Sequence, residues 1–231
     1  MHRIRALLFL FLFLPQLTFS QEIHWGIMGG IPLSDYFRTA YQAPLRTGYR
    51  SPTNRYTVGA FVELSLPFQL GVEFSPIYKR FHFTRQTGIA TIPSGLIDVL
   101  VHAKTTADTW EFPFLLKYHT TRRPVGTFVE IGPSVQTLHN VQQMQTTRDF
   151  RTGSVQITRT NTPSELAYRR NLGLAAGGGI EFDVKSVKVS PGVRTTLWRH
   201  KSFRSVTAAI GDGLLAAEQE QVEFLLRITF R

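Results

Sequence analysis

The segment QVEFLLRITFR, residues 221–231, sets an apolar side chain at every second position: Val222, Phe224, Leu226, Ile228 and Phe230. A period of two is the signature of a β-strand with one oily face and one other face. That other face carries Gln221, Glu223, Leu225, Arg227, Thr229 and Arg231, so a glutamate and an arginine four residues apart project from the same side. Which side is inside decides the fold.

The same alternation recurs along the chain, and helical periodicity is nearly absent. Eight segments read as strands: 22–32, 55–66, 70–82, 108–119, 126–136, 170–183, 186–198 and 220–231. Strands two and three are joined by LPFQL, four and five by TTRRPVG, and six and seven by VKSV, all of hairpin length. The remaining connections, 33–54, 83–107, 137–169 and 199–219, are long. Loops of that size are uncommon in compact soluble domains, whereas a bacterial outer-membrane barrel has short turns at one end and long loops at the other. Two stretches inside the long connections, LIDVLVHA (96–103) and SVQITRT (154–160), are strand-like, so some hairpins should continue past the bilayer.

Sorting each strand by parity collects Val58, Val62, Leu64, Val72, Phe74, Trp110, Phe112, Phe114, Leu116, Val129, Ile131, Leu172, Leu174, Ile180, Val193 and Leu197 on one face. The opposite face holds Glu63, Glu73, Lys79, Glu111, Lys117, Glu130, Glu181, Lys188, Arg194, Glu223 and Arg227. A soluble sandwich would bury the first face; a membrane barrel buries the second. The charged face is also the one with glycines (59, 71, 132, 173, 177, 179 and 192), as crowding within a narrow cylinder requires. In lipid every backbone polar group must be paired, so the sheet must close, and eight strands close around an interior that side chains just fill. The expected fold is therefore all-β: an eight-stranded antiparallel up-and-down transmembrane barrel with short periplasmic turns and long extracellular loops. Buried charge is costly unless paired, which predicts a luminal salt-bridge network of Glu63, Glu73, Glu111, Lys117, Glu130, Glu181, Arg194, Glu223 and Arg227. Pro76, Pro113, Pro133 and Pro191 cannot donate to a ladder, and a closed barrel has no edge for them, which predicts a tier of bulges or kinks.

WEFPFLLKY (110–118), LGLAAGGGIEF (172–182), VSPGVRTTLW (189–198) and HWGIMGGIPLSDYF (24–37) together resemble the outer-membrane β-barrel domain family of small bacterial barrels, similar in architecture to OmpA and OmpX. The resemblance implies an outer-membrane location and, for most members, no defined activity. It also implies a C-terminal aromatic residue read by the barrel assembly machinery; here Phe230 is penultimate and Arg231 last.

The opening MHRIRALLFLFLFLPQLTFS has basic Arg3 and Arg5, an apolar core from Ala6 to Leu14, and small Thr18 and Ser20 at a cleavage site. It reads as an export signal over residues 1–20, too short in its core to span a bilayer, followed by a barrel domain over 21–231. Its removal would leave 211 of 231 residues and, with two arginines gone, lower the formal charge from +10 to +8. With no cysteine, burial and backbone pairing alone must hold the fold.

The basic residues form no single stripe or tail, which argues against nucleic acid; positive loops facing acidic head groups fit an exported chain better. No HExxH, GxSxG or phosphate loop occurs, and the histidines lack metal-ligand spacing, so no catalytic, cofactor or metal site is expected. His82, His102, His200 and Ser202 fall near the expected outer rim, where a lipid-modifying enzyme would act, but in no triad order. The connection 35–56 offers a basic and aromatic external surface of Arg38, Tyr41, Arg46, Tyr49, Arg50 and Arg55, suited to lipopolysaccharide phosphates or a glycan. The expected function is a monomeric structural or surface-interaction barrel in contact with outer-membrane lipids. A narrow channel for ions or small solutes is the alternative, ahead of a rim-located lipid enzyme.

Overall fold

The computed structural model describes residues 22–42, 47–51, 56–90, 97–120, 125–204 and 215–230; the expected leader, Arg46 and Arg55 lie outside them. The strands are β1 (Ile23–Pro32), β2 (Phe37–Thr39), β3 (Tyr41–Gln42), β4 (Thr47–Arg50), β5 (Thr57–Ser65), β6 (Leu70–Phe74) and β7 (Ile77–Ala90). They continue with β8 (Ile97–His119), β9 (Val125–Asp149), β10 (Val155–Thr160), β11 (Arg170–Val184), β12 (Val187–Trp198), β13 (Leu215–Ala217) and β14 (Glu220–Phe230).

The wall closes. β1 pairs with β5, and β5 with both β6 and β7, which form one strand interrupted at Ser75–Pro76. Those two pair with β8, then β8 with β9, β9 with β11, β11 with β12, β12 with β14, and β14 with β1. All contacts are antiparallel, and Trp25 meets Phe230 where first and last strands seal the cylinder. The oily face looks outward: Trp25, Val62, Phe114, Val129, Ile131, Leu172 and Leu197 are all exposed. Aromatic residues flank this band, with Tyr78 and Trp110 in contact on the long-loop side and Trp25 and Phe230 on the short-turn side.

β8 has 23 residues and β9 has 25, roughly twice the nine to eleven that cross a membrane. Much of the expected long loops is thus continued hairpin, with β4, β7, β8, β9 and β10 making an external sheet. The expected bulges at proline are corrected. Pro76 interrupts its strand, yet the register on either side is unchanged, and Pro113 and Pro191 stay in register with Ser134 and Leu226. A missing N–H removes one bond without adding a residue, and the Pro76 and Pro113 carbonyls still accept from Ala60 and Ser75. The register shifts elsewhere: between Ile89 and Ala90 near the tip of the β7–β8 hairpin, and between Thr106 and Asp108, opposite Asn140, whose φ of 47° suits asparagine and whose amide donates to Asp108 at 2.9 Å. The second of these falls where the sheet leaves the bilayer.

Candidate functional site: the barrel lumen

Inward positions alternate with lipid-facing ones, so each wall strand delivers its charged row to the axis. All nine predicted network residues are buried. They form two tiers. In the tier toward the short turns, Lys117 bonds Glu63 at 2.9 Å and Glu73 at 2.5 Å. Arg194 donates through Nε to Glu130 at 2.9 Å and reaches Glu73 at 3.4 Å. Arg227 donates through Nη2 to both oxygens of Glu130, at 2.7 and 2.8 Å. Glu181 joins through His119, whose ring lies 2.9 Å from Glu63 and 3.1 Å from Glu181, and through Lys188 at 3.4 Å.

The outer tier is centred on Lys79, which bonds Glu111 at 2.6 Å and Glu223 at 2.9 Å. The Tyr36 and Thr57 hydroxyls donate to the other oxygen of Glu223, and the Gln136 amide donates to Glu111. Glu223 and Arg227 therefore serve different tiers. Lys79 and Lys188 belong to the network although only their face was assigned from sequence; His119 shares the parity of Lys117, a signal that parity alone offered. Tyr36 lies in a connection with no such signal.

The lumen is not wholly ionic. Phe61, Met28, Ile77, Leu115, Phe128 and Leu225 also point inward and are buried. Phe128 lies 5.0 Å from the Lys117 ammonium and 5.1 Å from the Arg227 guanidinium, ring face toward charge. It fits because Gly179 and Gly192 are opposite: a Cβ at either would stand 2.7 or 3.0 Å from the ring.

Above the outer tier the inward row turns aromatic. Phe37, Phe81, Phe83 and Phe203 pack edge to face, with centroids 5.2 to 5.9 Å apart. Tyr36, Tyr49, Leu138, Val141, Leu215 and Ala217 complete this buried cap. Between cap and ions remains a cavity of about 20 Å³, room for about one water. At the short-turn end a cavity of about 710 Å³ is bordered by Glu63, His119, Glu181 and Lys188.

The expected external surface is partly corrected. Tyr49 is a cap residue 6.2 Å from Phe83, buried because its strand β4 folds its alternate face over the barrel mouth. Arg38 and Tyr41 are exposed, Arg38 bonding Glu218 at 3.0 Å, and Arg50 is exposed. The rim histidines do not converge with Ser202. His200 stacks on Tyr168, the Ser202 hydroxyl donates to Gln136, and His82 and His102 sit opposite Thr106 and Thr146 on the external sheet. Partial burial, with Lys104 and Arg80 nearby, holds the His82 imidazole below its ordinary value.

A sealed antiparallel cylinder with an oily exterior and an ion-paired axis defines an integral barrel of the bacterial outer membrane. The chain belongs to the outer membrane protein beta-barrel domain family, whose profile matches residues 18–197. Solved structures similar to it include the outer membrane protein OprG from Pseudomonas aeruginosa, at 13% identity over 90% of this chain and 92% of that one, with a TM-score of 0.43. Neisserial surface protein A is 10% identical over 90% and 94%, with a TM-score of 0.36. Ail, the attachment invasion locus protein of Yersinia pestis, is 11% identical over 90% and 98%, with a TM-score of 0.30. No curated protein matches the chain.

Proposed function

We propose that this barrel is a closed structural element that holds a large external sheet above the outer membrane for surface interaction, and does not conduct. The aromatic cap carries this reading: Phe83, Phe203 and Leu215 are fully buried across the outer mouth, above an axis already filled by paired charge. A continuous ion path would require the cap to open and the Lys117, Arg194 and Arg227 cluster to separate from its carboxylates. Breaking buried pairs costs about 3–5 kcal/mol each. The 710 Å³ cavity at the periplasmic end would serve a channel only after both changes. The external sheet, by contrast, needs no rearrangement to be reached: β10 is exposed along nearly its whole length. Partnership with the barrel assembly machinery through β14, and a monomeric state, belong to the same proposal.

Planar-bilayer recording of the refolded protein tests it. The expected trace shows no steady conductance steps; a stable open level in the unmodified protein would overturn the reading in favour of a narrow channel.

A further inference from the structure

At the outer rim of β9, β11 and β12, charge stands directly on the lipid-facing band. Leu172 pairs with Val135 and Leu174 with Leu197, and all four are exposed. One step outward on β11 is Arg170, opposite Thr137. The Arg199 N–H donates to the Leu172 carbonyl at 2.8 Å, which sets Arg199, one residue past the end of β12, beside Leu172. Arg170 and Arg199 are thus diagonal cross-strand neighbours, about 7–8 Å apart at the backbone, and both side chains are exposed on the same face. Two guanidinium forks at that spacing can meet one small oxyanion from either side. Among the described residues neither guanidinium has a hydrogen-bond or ion-pair partner.

The rim is also held in place. The Asn171 amide donates to the His200 carbonyl at 2.6 Å, and its oxygen accepts the His200 N–H at 3.1 Å, locking β11 to the end of β12. The His200 ring stacks on exposed Tyr168 with centroids 4.7 Å apart, an aromatic pair at head-group depth. Glu220, opposite Leu197 on β14, is the carboxylate on this face; Glu218 is engaged by Arg38.

We propose that Arg170 and Arg199 bind the phosphate of an outer-leaflet glycolipid, its acyl chains lying on Leu172, Leu174 and Leu197. Charge supplies recognition of the head group, and the oily strand face beneath it makes a lipid, not a soluble anion, the fitting ligand.

The test is native mass spectrometry of the full barrel in detergent micelles titrated with lipid A. Wild type should retain lipid A adducts, and an Arg170→Gln/Arg199→Gln double variant should bind at least tenfold more weakly. Dephosphorylated lipid A should bind wild type as weakly. Arg151→Gln, at the distant hairpin tip, should bind as wild type does. Undiminished binding by the double variant, or equal binding of the dephosphorylated lipid, would overturn the site. Displacement of lipid A by an equal concentration of inorganic phosphate would overturn its assignment to lipid. Heat-modified gel mobility, expected to be retained in each variant, separates loss of the site from loss of the barrel. If the double variant loses its fold, the two single variants carry the test, each expected to bind more weakly than wild type.

Discussion

A single luminal arginine shows how tightly each charge is bound to its neighbours. Arg227 is buried, makes two bonds to Glu130 and lies 3.7 Å from Glu73. Arg227→Ala would leave those carboxylates competing for Arg194 and Lys117 in a space without bulk water. Loss of one partner from a buried pair costs about 3–5 kcal/mol, so the variant should unfold at clearly lower denaturant concentration in guanidinium titration followed by tryptophan emission. An unchanged midpoint would mean that water already screens the site. Which residues carry charge inward was legible from parity alone; which cation meets which anion was not. Arg194 and Glu73 are on strands far apart in sequence, β12 and β6, and closure of the ring brings them together.

At the scale of one strand, β11 shows why small residues accompany charge. Its Gly179 leaves the space that Phe128 fills, and Phe128 in turn presents its ring to Lys117 and Arg227. Gly179→Val should therefore lower stability by about 1–3 kcal/mol through overpacking, read as a reduced heat-modification midpoint. Gly29→Ala is the matched control: the nearest atom to a Cβ there is 3.9 Å away, and the midpoint should stay near wild type. The membrane portion of each strand was readable because lipid on one side and crowding on the other enforce alternation. The continuation of hairpins past the bilayer was readable at LIDVLVHA and SVQITRT, which fall in β8 and β10. The stretch of β8 and β9 between there and the bilayer was not, since Thr, Gln and Ala alternate there without a lipid face to demand oil. A proline removes a donor but adds no residue, so it leaves the register intact; the β8–β9 ladder gains an extra residue at Asn140, which tolerates the left-handed backbone.

The whole molecule follows from closure. Alternation of short and long connections revealed eight walls in ring order, and lipid's intolerance of unpaired backbone required the ring to seal. The cap could not be anticipated, because Phe37, Phe83, Phe203 and Leu215 come from three separated connections, 33–54, 83–107 and 199–219, all of which read as loop. It is this cap, with the two ionic tiers beneath it, that turns an open cylinder into a closed one.

Collision accessibility of spin labels probes the orientation of the wall most directly, and the absence of native cysteine allows single labels to be placed without background. In lipid bilayers, labels at Phe224, Leu226 and Ile228 should be relaxed strongly by oxygen, which concentrates among acyl chains, while Leu225, apolar but buried in the lumen, should not. If Leu225 were the lipid-accessible position and Phe224 and Leu226 the shielded ones, oil and charge would have changed places, and the barrel described here would be wrong.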